Sequence, residues 1–147
     1  LAAILPPLIA AMERCHPGKR FAATAAALDP AAPSLPMDAE DLSEILSNLL
    51  DHAGKWARSG ITIDYRFDGA ARRIAITDDG PGVPPDQRET MFGIGARGAG
   101  PGAGSGLGLA IARDVARDYG GDVALDRTPS GGTVATLCIG DWPAGDM

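Results

Sequence analysis

The chain is poor in aromatic residues, cysteine, histidine and lysine. Aromatics make up 5% of it, so aliphatic residues and alanine must fill the core. Its two cysteines, Cys15 and Cys138, stand far apart with no Cys-x-x-Cys and no companion histidine pattern. That excludes a zinc ribbon or dithiol motif and leaves both expected as reduced, structural thiols. No run is long and apolar enough to span a bilayer. Positive charge is scarce: 13 Lys and Arg against 19 Asp and Glu give a net charge of −6. This excludes a general nucleic-acid binder and argues against direct membrane-surface contact. A P-loop is excluded by letters alone, because Gly18-Lys19 leads into Arg20 and Gly54-Lys55 into Trp56. No methionine and no signal-like segment opens the chain, which is expected to be a piece of a larger protein.

What the chain does have is glycine. Eight of the sixteen residues in 93–108 are glycine, and the stretch closes as Gly104-Ser105-Gly106-Leu107-Gly108 ahead of a helical run. A glycine-rich turn at a helix N-terminus offers bare backbone N–H groups and the positive end of the helix dipole. Such a turn suits a nucleotide phosphate, although glycine density alone equally describes a surface loop.

The 147 residues suffice for one domain with a real core. Residues 1–15 read as a helix with Pro6-Pro7 in the first turn, and 16–19 as a turn. Residues 1–18 are expected to be the linker or first helix after a domain further upstream. Residues 21–28 are read as a strand because proline-rich punctuation follows at once. Asp38 should cap a helix in which Leu42, Ile45, Leu46, Leu49, Leu50, Ala53 and Trp56 recur at helical spacing, ending near Gly60. Residues 61–67 alternate as a half-buried strand, Asp68-Gly69 turns, and 73–77 return as the hairpin partner. An irregular stretch over 80–103 follows, of a length usually functional or mobile. A helix opened by Ser105 and closed by Gly120-Gly121 leads to a last hairpin, 123–125 with 134–139. The tail after Trp142 is expected to fray.

Two further constellations could carry chemistry. On a helical wheel Glu44, Asn48, Asp51, His52 and Lys55 share one narrow face opposite the apolar one. A solvated face is the ordinary explanation of such a stripe. This one, however, carries Asn, His and the last of the two lysines, with Asn48 and His52 at the apolar border. Asp78-Asp79-Gly80-Pro81-Gly82 follows a strand directly. A partly buried carboxylate there accepts strongly from an amine such as that of adenine, and Gly80 and Gly82 let a flat ring lie against backbone. A plain Asp-Gly turn is the competing reading. Gly93, Gly95 and Gly98 satisfy Gly-x-Gly-x-x-Gly, but no strand precedes them and no helix opens within them, so a dinucleotide oxidoreductase is given little weight.

These pieces, in this order, resemble the GHKL superfamily, and within it the catalytic ATP-binding domain of bacterial sensor histidine kinases. Residues 44–56 resemble its N box, 78–83 its first glycine box, Met91-Phe92 its F box, and 104–109 its second glycine box. Ser130-Gly131-Gly132-Thr133 resembles a late Gly-Gly-Thr of the family, so the match runs from about residue 42 to 139. The resemblance implies a two-layer α/β sandwich, with a mixed, mostly antiparallel sheet, helices on one face and a long glycine-rich ATP lid over 83–103. It implies that Asp78 holds the adenine amine, that Asn48 contacts phosphate or metal as the catalytic position, and that Lys55 and Arg97 reach the phosphates. Amides of Gly104, Ser105, Gly106, Leu107 and Gly108 would cradle the phosphate chain, with Gly80, Gly82 and Thr133 lining the site. Trp56, where the family has Tyr or Phe, would cover the base or, the preferred reading, pack in the core. Implied partners are ATP and ADP, an upstream dimerisation domain bearing the acceptor histidine, and a response regulator. The implied setting is the cytoplasmic side of a membrane sensor.

The sequence departs from the family pattern at two places. Gly95 stands where the F box has its second aromatic. His52 stands where the N box has the Asn that offers oxygen to Mg²⁺. Imidazole nitrogen suits ions such as Mn²⁺ better than Mg²⁺. Mg²⁺ held mainly by phosphates, another ion, or a degenerate pseudokinase are all compatible with that change. A rival register, Glu44-x-x-x-Asn48, resembles the anti-sigma-factor kinases, with Glu44 as general base. Only the histidine-kinase register also brings Lys55-Trp56 into place.

Overall fold

A computed structural model describes residues 1–88, 90–92 and 108–140. The chain opens with α1 (Leu5–Cys15), whose Pro6 and Pro7 occupy the first turn, where a missing N–H costs nothing. Strand β1 (Arg20–Ala23) and a four-residue helix α2 (Ala25–Leu28) follow. The strand expected over 21–28 thus stops halfway. Thr24 accepts from the N–H of Ala27 and caps a helical turn that the alanine-rich run then adopts.

Helix α3 (Ala39–Trp56) begins as its sequence dictates. The Asp38 carboxylate accepts from the N–H of Glu40 at 2.8 Å, and Glu40 and Asp41 place negative charge at the positive end of the helix. Leu42, Ile45, Leu46, Leu49, Leu50 and Ala53 are all buried. Trp56, expected in the core, is only half-buried. Strands β2 (Gly60–Asp68) and β3 (Ala71–Asp78) form the expected hairpin, pairing Ile61 with Asp78 and Asp68 with Ala71. Two short 3-10 turns, Pro85–Gln87 and Thr90–Phe92, occupy part of the stretch expected to be irregular. Helix α4 (Gly108–Asp118) and strands β4 (Asp122–Arg127) and β5 (Thr133–Ile139) complete the chain.

The sheet runs β1-β2-β3-β5-β4. Only β1–β2 is parallel, and every other pair is antiparallel. Period-two alternation sorts its faces. Ile61, Ile63, Tyr65, Ile74, Ile76, Val123, Leu125 and Leu137 turn inward and are buried in one core with α3 and α4. Each such aliphatic side chain contributes about 2 kcal/mol of transfer free energy. The other face carries Thr62, Asp64, Arg66, Arg73, Thr77 and Thr136, and among the described residues no helix covers it. The architecture is therefore the expected two-layer sandwich, mostly antiparallel with helices on one face. Both thiols are free, as expected, but Cys15 is exposed and so adds nothing to the core. Among the described residues no helix is long and apolar enough to cross a membrane.

Candidate functional site

Asp78 is the last residue of β3, and it is 4% exposed. The hairpin register delivers its side chain to the helix-covered face, the one on which Ile74 and Ile76 are buried. Its Oδ1 accepts from the N–H of Gly80 at 2.8 Å and from the N–H of Thr133 at 3.4 Å. Burial raises its pKa; the two N–H donors act against that rise without cancelling it. Thr133, itself buried, starts β5 beside this strand end, so the Gly-Gly-Thr segment and the first glycine box meet. A Cβ on Gly132 would run into the carbonyl of Asp78, which explains a glycine there better than turn chemistry does. Gly80 faces the backbone carbonyl of Trp56 in the same way, and Gly82 (φ +80°) faces that of Gly131. Both glycines thus permit close packing of the protein's own backbone around Asp78.

The next residue has the opposite environment. Asp79 is exposed and closes the turn between α3 and β2. Its carboxylate accepts from the N–H groups of Arg58, Ser59 and Gly60 at 2.7–3.0 Å and from the Ser59 hydroxyl at 2.8 Å. Slight desolvation opposes ionisation, but these donors outweigh it and hold the pKa down to about 2. The sequence reading did not single out Asp79. An Asp-Asp pair at a strand end was the available signal, since alternation sends two neighbours to opposite sides.

The α3 stripe forms the second wall. Asn48 is half-buried, and its Oδ1 lies 3.3 Å from where a Cβ on Gly108 would sit. The N box and the end of the second glycine box thus approach each other at a position where a side chain would crowd Asn48. One turn later, the Nε2 of His52 is buried with no hydrogen-bond partner among the described residues. Burial, and next the charge of Lys55, lower the His52 pKa to about 4 against the opposing pull of Asp51, so its ring is neutral at pH 7. The ring stands 6.3 Å from that of Trp56. Lys55 is ion-paired with Asp51 one turn back, Nζ to Oδ2 at 3.2 Å. Glu44, at the far end of the stripe, is exposed.

Phe92 is buried, and the Arg113 guanidinium of α4 lies over its ring, 3.5 Å from the centroid. Arg113 also donates from Nε and Nη2 to the Val123 carbonyl, at 3.1 and 2.9 Å. This residue, absent from the sequence reading, joins the F box to α4 and β4. Arg97, Gly104, Ser105, Gly106 and Leu107 lie outside the described residues, as do Gly93, Gly95, Gly98 and the tail after Gly140. The groove on the uncovered sheet face, about 840 Å³, is lined by threonine, arginine and aspartate side chains and contains neither Asp78 nor any α3 residue. Among the described residues no group of three His, Cys, Asp or Glu forms a metal cage.

Comparison with known proteins identifies the family of this fold. Residues 37–141 match the model of the "Histidine kinase-, DNA gyrase B-, and HSP90-like ATPase" family. The sensor protein kinase CarS of Pseudomonas aeruginosa is 45% identical over 98 residues, which are 67% of this chain and 22% of that protein. The histidine-protein kinase/phosphatase MprB of Mycolicibacterium smegmatis is 39% identical over 100 residues, 65% of this chain and 20% of that one. The chain thus spans about a fifth of these curated relatives. The solved structure of a mycobacterial MprB superposes with a TM-score of 0.75 at 26% identity, covering 93% of this chain and 91% of that one. Full-length ShkA, solved in complex with AMPPNP, superposes with a TM-score of 0.80 at 25% identity, covering 94% of this chain and 29% of that one. The chain belongs to the family of histidine kinase-, DNA gyrase B- and HSP90-like ATPases, and within it matches the catalytic ATP-binding domains of sensor histidine kinases.

Proposed function

We propose that this chain binds ATP between the Asp78 strand end and the α3 stripe, and presents the γ-phosphoryl group to a histidine on a separate dimerisation domain. The observation that carries the reading is Asp78: a buried carboxylate at a strand end, fixed by two backbone N–H groups. An acceptor so placed selects a donor such as the exocyclic amine of adenine. Gly80, Gly82 and Thr133 shape that end. Trp56, half-buried beside His52, would flank the base or sugar. Lys55 supplies a point charge to the phosphates, joined by Arg97 and by the amides of residues 104–108. Phosphoryl transfer needs little covalent chemistry from the protein, so alignment and charge neutralisation are the work to be done.

A divalent ion bound with ATP neutralises charge on the phosphates. Asn48 and His52 are the protein donors for it, one turn apart on the same face. The neutral Nε2 of His52, unpartnered among the described residues, fits a borderline ion such as Zn²⁺, and after it Mn²⁺, better than Mg²⁺. That same nitrogen favours a second reading, a nucleotide-binding pseudokinase whose metal site is degenerate. The serine-kinase register gains no support, because Glu44 is exposed.

In the parent protein residues 1–147 would be a single catalytic domain. Residues 1–18 would join it to the dimerisation domain, and a response regulator would receive the phosphoryl group. The parent's place would be the cytoplasmic side of a membrane. The negative net charge of −6 gives this part no attraction to nucleic acid or anionic lipid. Titration with ATP against Mg²⁺, Mn²⁺ and Zn²⁺, read by tryptophan fluorescence and calorimetry, tests the reading. Saturable ATP binding that Asp78→Asn removes is the expected result. No binding with any of the three ions would overturn it. Binding without phosphoryl transfer, when the parent's dimerisation domain is supplied, would select the pseudokinase.

A further inference from the structure

The two glycine boxes and the N box leave one N-box neighbour unexplained. Among the described residues Asp51 has two partners: its Oδ2 holds Lys55, while its Oδ1 lies 2.8 Å from Nε2 of His16, a residue 35 positions earlier in the turn between α1 and β1. An ionised carboxylate only accepts, so His16 donates from Nε2. The ring is seated on further sides. Phe21 lies 6.1 Å away, centroid to centroid, and Gly54 beneath it carries no side chain; a Cβ there would stand 2.6 Å from the imidazole. Glycine inside a helix costs about 1 kcal/mol relative to alanine, so the close approach of His16 accounts for a residue that helix propensity disfavours. The same turn grips α3 a second time, where Lys19 donates to the carbonyl of Ala57 at the helix C-terminus.

From this geometry we infer that His16 is a positioning residue for the phosphate end of the site, acting on Lys55 through Asp51. The inference rests on the reading of Lys55 as a phosphate contact. By occupying Oδ1, His16 fixes the Asp51 rotamer and draws part of its charge. Lys55 is then located by Oδ2 but not fully claimed by it, and an ammonium has three donors to distribute. Without His16 the carboxylate turns wholly to Lys55, and the lysine is withdrawn from an incoming polyanion. The turn after α1 would in this way bear on nucleotide affinity although it lines no part of the cleft.

The test uses the 147-residue chain and compares ATP with adenosine, each with Mn²⁺. His16→Phe keeps an aromatic ring over Gly54 and removes the donor; His16→Gln places an amide N–H at about the reach of Nε2. His16→Phe is expected to weaken ATP by about fivefold and to leave adenosine unchanged, a split that general loosening of the fold would not produce. His16→Gln should recover ATP affinity to within about twofold. In the Asp51→Asn or Lys55→Met background, His16→Phe should have no further effect. Equal ATP affinity of His16→Phe and parent, with Lys55→Met weakened, would overturn the inference and leave the Lys55 reading intact. If Lys55→Met itself binds ATP as the parent does, the Lys55 reading fails and this inference with it. Should His16→Phe not fold, His16→Asn, whose amide falls short of Asp51, takes its place, with the same loss and the same rescue by Gln expected.

Discussion

The two ends of the proposed cleft are built on different principles. At the Asp78 end nearly everything is backbone: N–H groups of Gly80 and Thr133 orient one carboxylate, and carbonyls of Trp56, Gly131 and Asp78 itself press against three glycines. At the α3 end the chemistry sits on side chains, and each differs in its standing. Lys55 is shared with Asp51, Asp51 with His16, and the His52 nitrogen is buried without a partner among the described residues. A backbone-built subsite is rigid and is preorganised at no further cost on binding. A side-chain subsite must trade existing partners for new ones, so it can be tuned by residues outside the cleft. Recognition of the base should therefore depend on few positions and break completely, while recognition of the phosphates should depend on many and shift by degrees.

Asp78→Asn should show the largest effect. It removes a charge-assisted hydrogen bond worth about 2–3 kcal/mol, so ATP affinity should fall about 30- to 160-fold by calorimetry. The folded state should be as stable as the parent or more so, because a buried carboxylate with a raised pKa is replaced by a neutral isostere. A variant that loses ATP binding through unfolding would contradict the rigid, backbone-built description. Gly132→Ala comes next: its methyl meets the Asp78 carbonyl, and overpacking of that kind costs about 1–3 kcal/mol in denaturant titrations. An unchanged midpoint would show that this end yields more easily than it is built to.

Arg113→Met should cost about 1–2 kcal/mol, since it removes the guanidinium from the Phe92 ring and from the Val123 carbonyl. Chemical shifts of Phe92 and of β4 around Val123 should move while those of β2 and β3 remain, which amide spectra can report. The smallest effect concerns Asp79. Its folded pKa of about 2 lies below the ordinary 3.8, so its contribution is full above about pH 4 and is lost as pH falls through about 2. Asp79→Asn should lower Tm modestly at pH 7, and the gap from the parent should close between about pH 4 and 2. A gap that persists at pH 2 would mean that the turn needs something other than the ionised carboxylate.

Much of the molecule was legible before any coordinates. Helix α3 announced itself through an Asp cap and seven residues at helical spacing, six of which are buried, and the β2–β3 hairpin through strict alternation across Asp68-Gly69. Such signals are local: they need only a few neighbouring residues and a fixed period. The stop of β1 at Ala23 was missed because the proline-rich punctuation was weighed above the helix propensity of alanine, which Thr24 turns into a helical turn by capping it. Trp56 was assigned to the core by its place in the apolar series, yet it lies on the last turn of α3, where the period runs past the core's edge.

From residue order alone came the period of each element, the acid at the end of β3 and the Asn, His and Lys on one helical face, because these depend on spacing within a few turns. Tertiary structure alone decided that β1 lies parallel to β2, that Gly132 abuts Asp78, that the His52 nitrogen is buried, and that His16 reaches Asp51. Those pairings join residues tens of positions apart. They are selected by the packing of whole elements against one another, and no local period encodes them.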